Sequence, residues 1–182
     1  MHAKWTPWAI ALVILSGGIA DASSDDDPWK SYRFLAGEWT GEGSGGPGKG
    51  SGGFSFAWEL REKVLVRRNR AEYPATQGRP ASSHEDLMVI YRGEGVGPTR
   101  AIYFDSEGHV INYTATFSKD QRTLTFLSDA VPSGPRFRLS YTKAEGEVLR
   151  IKFEVAPPGK PDAFKTYLDG SARRFKREIR KN

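Results

Sequence analysis

The chain has 182 residues, a formal net charge of +5 and no cysteine. That length supports one domain with a real core. The missing cysteine excludes disulfides, a thiolate nucleophile and Cys-ligated metal, so side-chain burial and sheet hydrogen bonds must hold the fold.

Residues 1–22 read as an export signal. Lys4 is its short basic region, Trp8 to Leu15 is an apolar run too short to span a bilayer, and Ala20-Asp21-Ala22 supplies small residues for cleavage. A retained membrane anchor is the alternative. The expected location is therefore secreted or periplasmic. Residues 23–29 form a polar, acidic linker, and 30–178 the folded domain. Pro28 to Leu35 predicts one helical turn whose Trp29, Phe34 and Leu35 plug one end of that domain.

From there the pattern is almost all β. Strands are expected over about Trp39–Gly43, Phe54–Leu60, Lys63–Tyr73, Asp86–Arg92, Thr99–Phe104, His109–Phe117, Arg122–Leu127, Arg136–Thr142, Val148–Val155 and Ser171–Arg177. Phe54, Phe56, Trp58 and Leu60 share one face, and Leu149, Ile151, Phe153 and Val155 share another. Ala163 to Leu168 suits a short helix before the last strand. Several connections fit tight hairpins, so an antiparallel, closed up-and-down β-barrel of about ten strands is predicted.

Such a meander puts alternate connections at opposite rims. The stretches 44–53, 74–85, 105–108, 128–135 and 156–164 share one rim, and four of the five are long. The other rim is tightly stitched. Function gathers on long loops held by a rigid scaffold, so the mouth is expected at the long-loop rim. Strand ten can then close against strand one. Trp39 would meet Arg173 or Arg174 at the short-loop end, where a guanidinium over an indole contributes about 0.5–2 kcal/mol.

The run FLAGEWTGEGSG at 34–45, with Gly37-Glu38-Trp39 and the late arginine, resembles the lipocalin (calycin) superfamily. It is more similar to nitrobindin-like haem-binding barrels, and more still to an uncharacterised group of secreted bacterial lipocalin-like proteins. The likeness covers about residues 30–177. It implies a barrel that binds a small ligand. Nitrobindin-like barrels hold haem through a His in their C-terminal third. No His follows His109 here, so that ligand cannot be carried over; His84, His109 or a Tyr would have to serve instead. No cofactor is expected.

Several polar residues should gather at the long-loop rim: Arg70, Glu72 and Tyr73, His84 and Glu85, Asp105 and His109. They could bind a metal or do acid–base chemistry. Their spacing is not diagnostic, and each also suits a turn or an exposed strand end, so no metal is assigned. The strand carrying Arg67, Arg68, Asn69 and Arg70 must point one arginine inward. Arg68, in phase with Val64 and Val66, is the candidate. It would serve either an anionic ligand headgroup or an internal pair with Asp86 or Glu72. Tyr91, Tyr103, Asn112 and Tyr113 would offer hydroxyls or an amide to a lumen, or else face outward.

Two motifs fall away. Gly43 to Gly50 looks like a phosphate loop, yet Gly50 stands where Ser or Thr is needed and no helix follows. A flexible loop able to act as a lid is the better reading. Asn112-Tyr113-Thr114 is a glycosylation sequon in mid-strand. The basic tail at 179–182, with Arg173, Arg174, Lys176 and Arg177 before it, suits at most weak contact with an anionic membrane surface. Nucleic acid is not expected, because only Phe175 interleaves to stack a base. The leading expectation is a secreted barrel binding a small apolar or amphipathic, anionic ligand. An enzyme using His84, Glu85, Asp105 and His109 is a second reading, and an envelope interaction module a third.

Overall fold

The computed structural model describes residues 27–45 and 48–175. The expected signal at 1–22 and the tail at 179–182 lie outside the described residues, as does most of the linker. The chain divides into two compact units, Met1–Lys30 and Ser31–Asn182. In the first, the Asp27 carboxylate accepts the Trp29 amide hydrogen at 2.9 Å.

The second unit is the barrel. A 3-10 helix over Lys30–Leu35 leads into strands β1 (Gly37–Gly45), β2 (Gly50–Glu59), β3 (Val64–Tyr73), β4 (Ser82–Arg92) and β5 (Thr99–Asp105). β6 (Val110–Phe117), β7 (Thr123–Ser128), β8 (Arg136–Lys143), β9 (Val148–Ala156) and β10 (Lys165–Arg174) follow. Each strand pairs antiparallel with its neighbours in sequence, and β10 pairs with β1 to close the barrel. Closure leaves no unpaired edge among these strands. The predicted closed up-and-down barrel with a helical turn before it is the fold observed.

Register sorts the side chains into an inner and an outer set, because directly paired residues point to the same face. Trp39, Phe54, Leu65, Met88, Ala101, Tyr113, Phe126, Tyr141, Leu149 and Ala172 are buried inward residues. The lower lumen is therefore solid with rings and aliphatic chains. Phe54, Phe56, Phe126 and Tyr141 meet mostly edge-on, with centroids 5.5 to 6.3 Å apart.

The 3-10 turn caps the short-loop end. Tyr32 packs edge-on to Phe117 at 4.9 Å, Ser31 Oγ donates to Gln121 at 3.0 Å, and Arg33 forks onto Glu62 at 3.1 and 2.7 Å. Leu35 is fully buried and Phe34 half-buried, as a plug requires; Trp29 belongs to the other unit. Trp39 Nε1 donates to the Leu35 carbonyl at 2.7 Å. Arg174 lies 4.3 Å over the Trp39 ring and donates to the carbonyls of Phe34, at 2.8 Å, and Ala36. Arg174 is thus the closing arginine. Arg173 points outward and is exposed.

Three expected boundaries differ. The glycine-rich stretch is largely ladder: Gly43 pairs with Gly50 and Gly41 with Gly52. A Cβ on Gly52 would lie 2.2 Å from the Arg70 carbonyl oxygen, and one on Gly41 2.5 Å from that of Ser171. Glycine here permits close strand approach; it does not make a lid. The expected helix at Ala163 to Leu168 is mostly strand, since β10 starts at Lys165 and pairs with β9 through an irregularity between Thr166 and Leu168. β4 starts at Ser82, which carries His84 into the sheet.

Candidate functional site

The row Trp39, Phe54, Asn69, Asp86, Asp105 runs across five strands through directly paired positions. Barrel strands tilt by about 35–45° and lie about 4.8 Å apart, so four such steps climb about 12 Å along the axis. The row begins two residues into β1 at the plugged end and finishes on the last residue of β5 at the other rim. Its side chains change from apolar to polar on the way up.

The polar part begins with Arg67. Its guanidinium lies 5.5 Å over the Phe54 ring and bonds Asp86 through Nη1. Asn69 Nδ2 donates to the other Asp86 oxygen at 2.9 Å. Side chains of Arg67 and Asp86 are only 8% and 4% exposed. Burial opposes the Arg67 charge most strongly, but Asp86 and the neighbouring Tyr141, Tyr103 and Tyr113 together raise the pKa of the guanidinium. Arg67 Nε and the Tyr141 hydroxyl are buried with no hydrogen-bond partner among the described residues. Burial also pushes the Tyr141 hydroxyl up to about 12.

Above this pair sits His84. Its Nε2 is 3.3 Å from Asp86 Oδ2 and 3.1 Å from the Tyr103 hydroxyl, while Nδ1 is 2.9 Å from Glu107 Oε2. The Asp86 hydrogen bond, against burial and helped by Glu107, pushes His84 up to about 9. It is therefore an imidazolium at neutral pH. Burial, with the Asp86 and Asp105 charges, raises Tyr103, which keeps its proton.

Asp105 shapes the rim hairpin. One of its oxygens accepts the amide hydrogens of Glu107 at 3.1 Å and His109 at 2.8 Å, and the other faces His109 Nδ1 at 2.9 Å. Burial would raise its pKa, but the His109 amide and imidazole hold the carboxyl below its ordinary value.

Across the barrel, on β8 and β9, the mouth is apolar. Phe137 and Phe153 stack at 5.9 Å, and Tyr167 meets Phe153 edge-on at 6.0 Å. Both phenylalanines are half-buried, as are Leu168 on β10 and Ile111, which lies on β6 paired with Tyr103. One wall thus offers charges, a phenol and an amide, and the other presents aromatic and aliphatic surface.

Of the residues singled out in the sequence, the structure brings His84, Tyr103 and Asp105 together, with His109 beside them on the exposed rim. Arg68 corrects an expectation. It points outward, is 58% exposed and lies 3.9 Å from Glu59; the inward arginine is Arg67. Phe54 and Phe56 face inward and pair with Asn69 and Arg67, so the β2 register fixes the phase of β3. The expected internal partner, Asp86, is the one used. Arg70 is also outside, bonded to Glu72 at 2.7 Å and Glu85 at 2.9 Å. Tyr91 faces outward beside Arg100, and Asn112 is outward and exposed. Arg67, Asn69, Asp86 and Glu107 complete the site. The alternation of β2, carried across the register, is the signal that points to Arg67 and Asn69.

No protein-family model matches the chain, and no curated protein matches it.

Proposed function

We propose that the barrel binds a small amphipathic molecule in the upper lumen, with its apolar part on Phe137, Phe153, Ile111 and Leu168 and its polar head on Tyr103 and His84. The observation that carries this reading is the two-sided mouth above a filled lower lumen: half-buried rings face a half-buried polar cluster. A ligand that satisfies both walls needs an apolar body and a hydrogen-bonding end. An anionic head drew its support from an inward Arg68. With Arg67 already matched by Asp86, and with Asp105 and Glu107 at the rim, the wall suits a neutral polar head better. The reading agrees with the lipocalin-like opening at 34–45, and the signal-like segment 1–22 would place binding outside the cytoplasm.

The test uses a neutral fluorescent amphiphile, aminoanthracene, and the full chain. Saturable fluorescence gain is expected, abolished by Phe153→Asp and retained by Phe104→Asp, whose ring lies on the outer face. No gain, or equal gain in both variants, refutes the proposal. Native mass spectrometry on protein from its natural host then gives the mass of any co-purifying ligand.

A further inference from the structure

We propose that His84, Asp105 and Glu107 form a binding site for one divalent transition-metal ion of the Zn2+ type. Each residue offers one ligand atom, and the three atoms lie within 4.8 Å of one another. One imidazole nitrogen with two carboxylates suits a borderline ion such as Zn2+; Mg2+ and Ca2+ take oxygen sets. Two carboxylates balance a double positive charge once the ion displaces the proton on His84 Nδ1.

The surroundings are those of a metal site already assembled. Metal-bound histidines usually give their second ring N–H to a carboxylate, which fixes the tautomer and the ring plane. Here the His84 Nε2 side faces Asp86, 3.3 Å away, leaving Nδ1 toward Glu107 at 2.9 Å. Asp86 is itself held by Arg67 and Asn69, so the imidazole rests on a rigid base. Asp105 is oriented in the same way, with His109 Nδ1 on one oxygen and two amide hydrogens on the other. Tetrahedral Zn2+ with bonds of about 2.1 Å sets its ligand atoms about 3.4 Å apart. The separations present, from 2.9 Å between His84 Nδ1 and Glu107 up to at most 4.8 Å within the set, bracket that spacing. Three protein ligands leave a fourth position free for water or for a donor atom of a lumen ligand. The site stands whether or not the amphiphile proposal holds.

The experiment is calorimetric titration of the dialysed full chain with Zn2+, repeated with Co2+ for its visible absorption. One equivalent should bind. His84→Ala and Glu107→Gln should each weaken binding at least about tenfold, and Asp86→Asn, which removes the charge that supports both His84 and Arg67, by about tenfold. His109→Ala should keep one equivalent. Glu107 is exposed on a hairpin, so Glu107→Gln decides the matter should His84→Ala fail to fold. Failure to take up an equivalent, or affinity unchanged in Glu107→Gln, overturns the proposal.

Discussion

Leu60, Arg61 and Glu62 carry φ values of 51°, 55° and 62° in succession. Non-glycine residues in this left-handed region are each disfavoured by roughly 1–2 kcal/mol, and three in a row need external support. Lys63 N donates to the Glu59 carbonyl at 3.1 Å, and Arg33 forks onto Glu62. The tight turn between β2 and β3 is therefore tied to the cap that closes the barrel. Leu60 gains little in return, since it is 73% exposed. Asn tolerates this conformation far better than Leu. Leu60→Asn should stabilise the protein by about 0.5–1 kcal/mol in urea unfolding, and a loss of stability would refute the strain. Arg174 is the opposite case, a side chain with several jobs. It covers Trp39 and supplies hydrogens to two carbonyls that end the 3-10 turn. Gly37, at φ 122°, leaves room for the guanidinium, because a Cβ there would lie 2.5 Å from Nη1. Arg174→Lys keeps the charge and loses the planar fork. It should cost about 2 kcal/mol, whereas Arg173→Lys, on the outer face, should change stability by less than about 0.5 kcal/mol.

The β1–β2 hairpin shows why one element can be legible in part. Phe54, Phe56 and Trp58 announce a strand because apolar side chains recur at every second position. Gly50, Gly52 and Gly53 announce nothing, since a residue without a side chain has no period to read. The ladder continues through them, and at Gly52 the backbone of β3 approaches too closely for a Cβ. Gly52→Ala should therefore destabilise the fold by at least about 2 kcal/mol, measurable by thermal melting; a neutral result would mean that β3 yields easily. The same limit explains β3. Val64 and Val66 suggested one phase, but valine suits either face of a strand, and only pairing to β2 decides. That pairing, and the match of Arg67 to an aspartate nineteen positions on, are tertiary facts. His84 was hidden for a related reason: Ser82, Ser83, His84 and Glu85 read as loop, yet their backbone is held by β3. The outer face of β8 and β9 carries a pH prediction. Arg138 forks onto Glu154 at 2.6 and 2.9 Å and lies 4.1 Å over the Phe164 ring. The Arg138 hydrogen bonds hold the Glu154 carboxyl below its ordinary value, against the pull of burial. A depressed carboxyl contributes stability in full above the ordinary value of about 4.3 and loses it as pH falls through the lower folded value. Glu154→Gln should thus cost about 1–2 kcal/mol at pH 7. The gap to wild type should narrow below about pH 4, and a gap constant from pH 7 to pH 3 would refute the assignment.

At the scale of the whole molecule, the barrel is filled from below and polar from the middle upward. A barrel with only stability to satisfy would continue its apolar filling to the rim. Instead Arg67 and Asp86 occupy the inner wall where the aromatic core ends, each almost fully buried. A buried ion pair stabilises little, because desolvating two charges offsets their attraction. Arg67 even leaves its Nε unbonded among the described residues. The pair supports what lies above it: Asp86 orients His84, and His84 reaches Tyr103 and Glu107. Stability and site can therefore be separated by mutation. Asp86→Leu strands a guanidinium and should cost about 3–5 kcal/mol, whereas Arg67→Met leaves Asp86 with Asn69 and His84 and should cost less. The double variant removes both charges and restores apolar volume, and should return to within about 1 kcal/mol of wild type. Its His84 would lack a carboxylate on Nε2, so both Zn2+ affinity and aminoanthracene fluorescence should fall although the barrel is intact. A double variant as unstable as the sum of the singles would mean that the pair, like the Trp39–Arg174 closure below it, is part of what holds the barrel together.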